Sequence, residues 1–185
     1  GFPIYESMIA FSGARPVPIP LVESEGFAFT AETIEGLLTE KTRLIILNSP
    51  SNPTGGLLDP SLLEAVARMA VERDIWVLSD EIYSRIIYEG KHHSIASYPG
   101  MRERTVILDG YSKTYAMTGW RLGYGIAPPE LTRWLTQIQI NAASCTASFT
   151  QFAGVEALKG PQDGVEAMVE TFRGRRDLIV ERLNA

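Results

Sequence analysis

Residues 44–55 read LIILNSPSNPTG, a run of four apolar residues that passes directly into a polar turn with two prolines. A continuous apolar run of this length is typical of a strand buried on both faces of a parallel sheet. The same pattern recurs in IWVLSDEIY at 75–83 and in VILDGYSKT at 106–114. The sequence therefore predicts three buried strands, each with a polar loop at its carboxyl end.

Segments with helical spacing lie between and around these strands. Thr30 is the predicted cap of one helix, and Asp59-Pro60 the predicted start of the next, because a polar cap followed by proline suits a first helical turn. Strands that alternate with helices favour a mostly parallel sheet covered on both faces. We therefore predict an α/β fold, a three-layer α/β/α arrangement, as a single domain over residues 1–185. The other predicted elements are a helix near 5–9 that ends at Gly13, strands at 17–22 and 122–127, helices at 130–141 and 149–158, and a last helix after Pro161 with Gly164 and Gly174 as weak points.

Composition and charge narrow the classes of function. The 22 acidic residues outnumber the 17 lysines and arginines, so nothing predicts binding to nucleic acid or to an anionic membrane. The apolar runs of four to five residues are too short to span a bilayer. Cys145 is the only cysteine, which excludes an internal disulfide and favours a reducing compartment. The expected location is therefore the cytoplasm.

Polar side chains that follow the predicted strands are the first candidates for chemistry. In open α/β sheets, ligands bind beyond the carboxyl ends of the strands, and this is where Asn52, Asp80, Tyr83 and Lys113 stand in the sequence. Each has a structural alternative: Asp80 as a helix cap, Tyr83 as a partly buried aromatic residue, Asn52 as a turn residue and Lys113 as a solvated loop lysine. It is their convergence on one edge of the sheet that predicts a site.

Arg121 is a candidate anion-binding residue, because a guanidinium between two glycines can approach a phosphate closely. A surface ion pair is the alternative. The segment around Lys113 is not a nucleotide phosphate loop, which needs a glycine directly before the lysine and another five residues before that glycine. Those two positions hold Ser112 and Ile107, so nucleotide binding is not predicted.

The histidines and the cysteine predict no further site. His92 and His93 are adjacent and have no spaced partners, so no metal site is predicted and both are expected to be solvated loop residues. Cys145 stands in the small-residue context ASCTA, where a small core residue is expected.

Three motifs, in their order and spacing, resemble the class I/II aminotransferases of the fold-type-I superfamily of pyridoxal-phosphate (PLP) enzymes. They are NSPSNPTG at 48–55, SDEIY at 79–83 and SKTYAMTGWRLGY at 112–124, and the resemblance covers essentially the whole chain. It implies the large domain of a PLP-dependent transferase, amino-group transfer between an amino acid and a 2-oxo acid, and a homodimer.

The resemblance also implies roles at the reacting centre. Lys113 would form a Schiff base with PLP and shuttle the proton at the substrate Cα. Asp80 would pair with the pyridine nitrogen and keep it protonated, which makes the ring an electron sink. Tyr83 and Asn52 would donate hydrogen bonds to the 3′-oxygen of the ring.

Contacts to the rest of the cofactor follow from the same resemblance. Arg121 would bind the phosphate with Ser112 as a hydroxyl donor beside it, and Phe2 would stack on the pyridine face. The chain departs from the family at Gly110, where many relatives carry a phosphate-binding serine. It also lacks the family's amino- and carboxyl-terminal parts, including the arginine that grips the substrate carboxylate, so both ends are expected to be truncated.

Two alternatives to amino-group transfer remain open. The same lysine, aspartate and arginine would serve a C–S lyase or an aminocyclopropane-carboxylate-synthase-like enzyme of the same fold. The chain is alternatively a catalytically inert large-domain fragment. The sequence motif AMTGWR at 116–121 favours the aminotransferase branch.

Overall fold

Helices and strands alternate along the chain, as the apolar pattern predicts. A computed structural model describes residues 2–185, within which there are seven α-helices and four strands. Their bounds are α1 Ile4–Phe11, α2 Ala31–Leu37, β1 Leu44–Asn48, α3 Pro60–Glu72, β2 Trp76–Asp80, β3 Thr105–Gly110, α4 Tyr111–Thr114, β4 Gly123–Ile126, α5 Pro129–Ala143, α6 Ser148–Lys159 and α7 Asp163–Leu183. Short 3₁₀ turns occupy Glu23–Glu25, Ile95–Ser97 and Thr118–Trp120.

The four strands form one sheet in the order β1-β2-β3-β4. β1, β2 and β3 are parallel to one another, and β4 returns antiparallel to β3. Asn48 at the end of β1 pairs with Asp80 at the end of β2, and Asp80 pairs with Leu108 of β3. The predicted α/β class with a mostly parallel sheet is confirmed, and the carboxyl ends of β1, β2 and β3 meet at one edge.

The hydrophobic core lies between the sheet and the helices α2 and α3. Asp59 caps α3, because its Oδ1 accepts a 2.8 Å hydrogen bond from the amide of Ser61, and Pro60 occupies the first turn as predicted. Burying one large aliphatic side chain in such a core contributes about 1.5–3 kcal/mol. The buried cluster includes Ile34 of α2, Leu63, Val66 and Ala70 of α3, Ile45, Leu47 and Val77 of the strands, and Met101.

Burial alternates along β1, although the apolar run was expected to be buried on both faces. Ile45 and Leu47 are buried, whereas Leu44 is 45% exposed and Ile46 is half-buried. Successive side chains of a strand point to opposite faces, so the two buried residues share the face that the α3 core covers. The described residues cover the opposite face less completely.

The strand predicted at 17–22 does not form. The segment is irregular, and its one ladder contact is an isolated antiparallel bridge between Val22 and Ala28. The prolines at 16, 18 and 20 remove an amide donor at every second residue. One edge of the segment is therefore unable to join a sheet.

The last three helices match their predicted positions. Gly164 and Gly174 do not interrupt α7, which runs for 21 residues. Arg173 Nη2 donates to the backbone oxygen of Tyr88 over 2.8 Å, and Arg176 forms two 2.6 Å hydrogen bonds with the carboxylate of Glu89. These contacts hold α7 against the segment that follows β2. Within residues 2–185, no helix combines the length and the hydropathy that a membrane crossing requires.

Candidate active site

Asn48 ties the turn after β1 to the end of β2. Its Nδ2 donates to the backbone oxygen of Asp80 over 3.3 Å, and its Oδ1 accepts from the amide of Asn52 over 2.8 Å. Asn52 and Asp80 are both half-buried. Two of the predicted site residues are thus held at the same edge of the sheet through one intervening side chain.

The carboxylate of Asp80 is fixed by two donors. Oδ2 accepts a hydrogen bond from the hydroxyl of Tyr5, and Oδ1 accepts one from the amide of Ile82 over 3.2 Å. Residues 82–85 form turns and no helix begins there, so the helix-cap interpretation of Asp80 is wrong. Each carboxylate oxygen keeps a further lone pair. Asp80 can therefore accept another hydrogen bond, for example from a protonated ring nitrogen.

Tyr5 is a site residue that the sequence patterns assigned only to the apolar spacing of a helix. Burial, together with the hydrogen bond and charge of Asp80, raises the pKa of its hydroxyl, so that the hydroxyl keeps its proton and donates. Its ring packs edge-on against Phe2 with centroids 5.8 Å apart. Phe2 is 48% exposed, which leaves much of its ring free to contact a flat ligand. Two aromatic residues three apart at the start of α1 are the signal that could have identified Tyr5.

Lys113 lies in the one-turn helix α4, so it is not the loop lysine of the alternative interpretation. Its Nζ is 5.6 Å from the centroid of the Tyr83 ring, a cation–π contact, and the residue is half-buried. In the described part of the chain no carboxylate forms a salt bridge with this ammonium group. Tyr83 is also close enough to Tyr5 to contribute to the raised pKa of that hydroxyl. The amine is thus held against Tyr83, which follows Asp80 by three residues.

Arg121 stands near the far end of the loop that begins with α4. Its backbone has φ +54°, a left-handed conformation that costs a non-glycine residue about 1 kcal/mol. Its Nη1 donates to the backbone oxygen of Thr118 over 2.8 Å, and the side chain is exposed. No carboxylate among the described residues pairs with it, so the surface ion pair does not form. Its remaining N–H groups are available to an anion.

The predicted site residues are joined to different degrees. Contacts link Lys113 to Tyr83, and Asp80 to Tyr5. Arg121 and the half-buried Ser112 belong to the same segment as Lys113, residues 110–124, and within residues 2–185 the side-chain hydrogen bond of Arg121 is to Thr118.

His92 is part of a buried polar cluster, and its prediction as a solvated residue is wrong. His92 Nε2 lies 2.9 Å from Glu81 Oε2, while Glu81 Oε1 accepts from the hydroxyls of Ser79 over 2.9 Å and Ser94 over 2.7 Å. Burial opposes ionisation of Glu81, but the hydrogen bonds from His92, Ser94 and Ser79 outweigh it and lower the pKa of the carboxyl. Glu81 follows Asp80 directly, so this cluster anchors the turn that carries the site.

Cys145 is exposed, so its prediction as a core residue is wrong. It lies in the connection between α5 and α6, where Ser144 has φ +60° and the chain turns away from the core. Across residues 2–185, no group of three or more histidine, cysteine, aspartate or glutamate side chains is placed to hold a metal ion.

Comparison with known proteins gives one family. A family model described as aminotransferase class I and II matches residues 1–185. The chain is 42% identical over 183 residues to the putative aminotransferase YugH of Bacillus subtilis (strain 168), covering 99% of this chain and 47% of that protein. It is 41% identical over 186 residues to aromatic-amino-acid aminotransferase 2 of Thermococcus litoralis, covering 99% and 48%.

The chain is also similar to solved structures of aminotransferases. The aromatic aminotransferase from Pyrococcus horikoshii OT3 superimposes with a TM-score of 0.95 and 41% identity, over 100% of this chain and 50% of that one. The aspartate aminotransferase from Thermus thermophilus with maleate gives a TM-score of 0.89 and 36% identity, over 97% and 47%. The chain spans about half the length of the relatives that it matches.

Proposed function

Because the chain belongs to the class I and II aminotransferases, a family of PLP-dependent enzymes, we propose that residues 1–185 form the cofactor-binding large domain of an aminotransferase. The reaction is the transfer of an amino group between an amino acid and a 2-oxo acid. The observation that carries this proposal is the position of two groups after the carboxyl ends of neighbouring strands: the amine of Lys113, in contact with the ring of Tyr83, and the carboxylate of Asp80, which accepts hydrogen bonds from Tyr5 and Ile82.

The donor groups at this edge fit PLP. When bound, PLP supplies an aldehyde for an amine and a ring that withdraws electrons from the substrate Cα. Lys113 would bind the aldehyde covalently with loss of water, and its Nζ, once released, would take and return the proton at the substrate Cα. Asp80 would hold the proton on the ring nitrogen. Tyr5 and Ile82 support this role, because they orient the carboxylate and leave a lone pair for a third donor.

The other predicted residues hold and orient the ring and the phosphate. Tyr83 and Asn52 would donate to the 3′-oxygen of the ring, Arg121 would bind the phosphate with Ser112 beside it, and Phe2 would stack on the ring face. The free N–H groups of Arg121 and the exposure of the Phe2 ring support these assignments. A guanidinium held by one backbone contact is oriented and still able to bind a phosphate in bidentate fashion.

Substrates and assembly are proposals for a whole enzyme about twice as long as this chain. We propose an amino acid and a 2-oxo acid as the substrates. A homodimer is supported by exposed apolar side chains on α1 and α6, such as Phe11 at 84% and Phe152 at 77% exposure. Monomeric proteins seldom leave large contiguous apolar surfaces uncovered. Sedimentation velocity tests self-association directly.

Covalent trapping tests the assignment of Lys113. The protein is incubated with PLP, reduced with borohydride and digested, and the adduct is mapped by mass spectrometry. We expect the adduct on the peptide that contains Lys113, and we expect it to disappear in Lys113→Ala. Lys91→Ala is the matched control, because Lys91 is an exposed lysine of the segment after β2. An adduct spread over all lysines, or retained in Lys113→Ala, contradicts the proposal.

The product formed from an added amino acid separates the candidate reactions. Pyridoxamine phosphate together with a 2-oxo acid indicates amino-group transfer. Ammonia without pyridoxamine phosphate indicates an elimination, the reaction of the lyase alternative. A trapped adduct without either product indicates a cofactor-binding domain that is inert by itself.

A further inference from the structure

The loop of residues 110–124, which carries Lys113 and Arg121, leaves and rejoins the sheet at one narrow point. Gly110 of β3 pairs with Gly123 of β4, and the amide of Tyr111 donates to the backbone oxygen of Leu122 over 3.3 Å. A Cβ atom on Gly110 would lie 2.9 Å from the Cα of Gly123, so the two strands are in direct backbone contact. We call the residues Asp109, Gly110, Gly123 and Tyr124 the neck of the loop.

The side chains of Asp109 and Tyr124 close the neck. The two residues are cross-strand partners, and the Tyr124 hydroxyl donates to Asp109 Oδ2 over 3.0 Å. Asp109 Oδ1 accepts from the amide of Gly110 over 2.6 Å. Burial raises the pKa of the Asp109 carboxyl, and the carboxylates of Glu81 and Asp80 add to this effect. Burial and the charge of Asp109 also raise the pKa of Tyr124, so its hydroxyl remains a donor.

We propose that Asp109 and Tyr124 are positioning residues that fix Lys113 relative to Arg121. This inference rests on the proposed function. Lys113 follows Asp109 by four residues and Arg121 precedes Tyr124 by three, so a shift at the neck displaces both. A ligand gripped at its aldehyde end by Lys113 and at its phosphate end by Arg121 requires a fixed span between them. Pyridoxal, which has no phosphate, uses only the Lys113 end.

Comparison of PLP with pyridoxal therefore tests the neck. We expect Tyr124→Phe to weaken PLP binding by up to about tenfold, the limit set by the value of one hydrogen bond to a carboxylate, and to leave pyridoxal binding within about twofold. Dissociation constants come from absorbance titrations, and circular dichroism confirms that each variant is folded. Asp109→Asn keeps an acceptor for the Gly110 amide and a neutral partner for the Tyr124 hydroxyl, so its PLP-to-pyridoxal ratio is expected to lie between those of the unmodified protein and Tyr124→Phe.

Tyr115→Phe is the matched control for the loss of a hydroxyl. Tyr115 packs on Tyr111 with ring centroids 5.7 Å apart, as Tyr124 does at 5.8 Å. Its hydroxyl, however, lies 3.2 Å from Gln162 Oε1 and from Arg85 Nη1, away from the neck. We expect this variant to retain the ratio. An equal loss in Tyr115→Phe, or an equal loss of PLP and pyridoxal binding in Tyr124→Phe, overturns the inference.

A double-mutant cycle with Arg121→Ala separates positioning from general stability. If Tyr124 acts through the span to Arg121, Tyr124→Phe has no further effect on the PLP-to-pyridoxal ratio once Arg121 is truncated. Additive effects overturn the inference. Absence of any borohydride-stable adduct in the unmodified protein overturns the proposed function and this inference together. An adduct on Lys113 with an unchanged ratio in Tyr124→Phe overturns the inference alone.

Discussion

Replacing Glu81 with glutamine removes one buried negative charge from the turn after β2 and leaves the shape of the side chain almost unchanged. The side chain of Glu81 is 8% exposed and is surrounded by the hydroxyls of Ser79 and Ser94 and the ring of His92. Because Glu81 lies next to Asp80, the substitution tests how much the buried cluster contributes to the stability of the segment that carries the site.

The expected loss is about 2 kcal/mol in the free energy of unfolding. A hydrogen bond to a charged group contributes about 1 kcal/mol more than a neutral one, so neutralising Glu81 weakens its three bonds by about 3 kcal/mol in total. Burying an amide costs less than burying a carboxylate, which returns about 1 kcal/mol. For a chain of this size, the remaining difference lowers the midpoint of thermal unfolding by about 4–8 °C.

Urea unfolding followed by circular dichroism measures this loss as a function of pH. Hydrogen bonding lowers the folded pKa of Glu81 below its ordinary value of 4.5, so its stabilisation is fully present above 4.5 and is lost as the pH falls through the lowered value. The contribution of Glu81 to the difference between the two proteins is therefore expected to narrow as the pH falls below about 4.5. Glu103→Gln, at an exposed position, is the control and is expected to change stability by less than about 0.5 kcal/mol.

Two results would refute this reasoning. One is a change in the unfolding midpoint of Glu81→Gln, at neutral pH, that is no larger than the change in the Glu103→Gln control. The other is a difference that widens as the pH falls below 4.5, since that outcome requires a raised folded pKa where the hydrogen bonds predict a lowered one.

Three further substitutions test the packing around the loop, in α7 and in the core. Gly154→Ala would place a Cβ 2.5 Å from Leu122 Cδ2 and 3.1 Å from the ring of the buried Tyr111, and it is expected to destabilise the protein by about 1–3 kcal/mol. Gly174→Ala, which meets no atom of another segment within 4 Å, should stabilise α7 by about 0.5–1 kcal/mol. Thermal unfolding measures both variants, and shifts of the same sign would contradict the packing argument. Leu63→Ala, at a residue only 2% exposed, is expected to cost about 2–5 kcal/mol in urea unfolding, and a loss below about 1 kcal/mol would show that the core is less tightly packed than the structure indicates.

The fold class and the strand ends could be predicted because both depend on local patterns. A four-residue apolar run followed by a polar turn predicts where a strand ends, without information on the strands beside it. Residues 44–48 and 76–80 are examples. The irregular segment at 17–22 could not be separated from a strand by apolar spacing alone. No strand forms there, because every second residue is a proline that lacks the amide N–H a sheet requires.

Contacts between distant segments could not be predicted in this way. Tyr5 and Asp80 are 75 residues apart and meet only because α1 lies against the end of β2. The pairing of His92 with Glu81 likewise depends on how the chain folds back after β2, and the two adjacent histidines show no pattern that separates the buried one from the exposed one. Cys145 illustrates the opposite error, because a small-residue context predicts burial while the connection between two helices carries the residue outward.

The contact between Gly110 and Gly123 limits the substitutions that can occur at either position. A Cβ atom at Gly110 would lie 2.9 Å from Gly123 Cα and 3.2 Å from the backbone oxygen of Leu122. A single codon change to serine would meet backbone atoms that cannot rotate away. A serine hydroxyl could be accommodated at position 110 only after β3 and β4 had moved apart. The two glycines are therefore expected to change together in evolution.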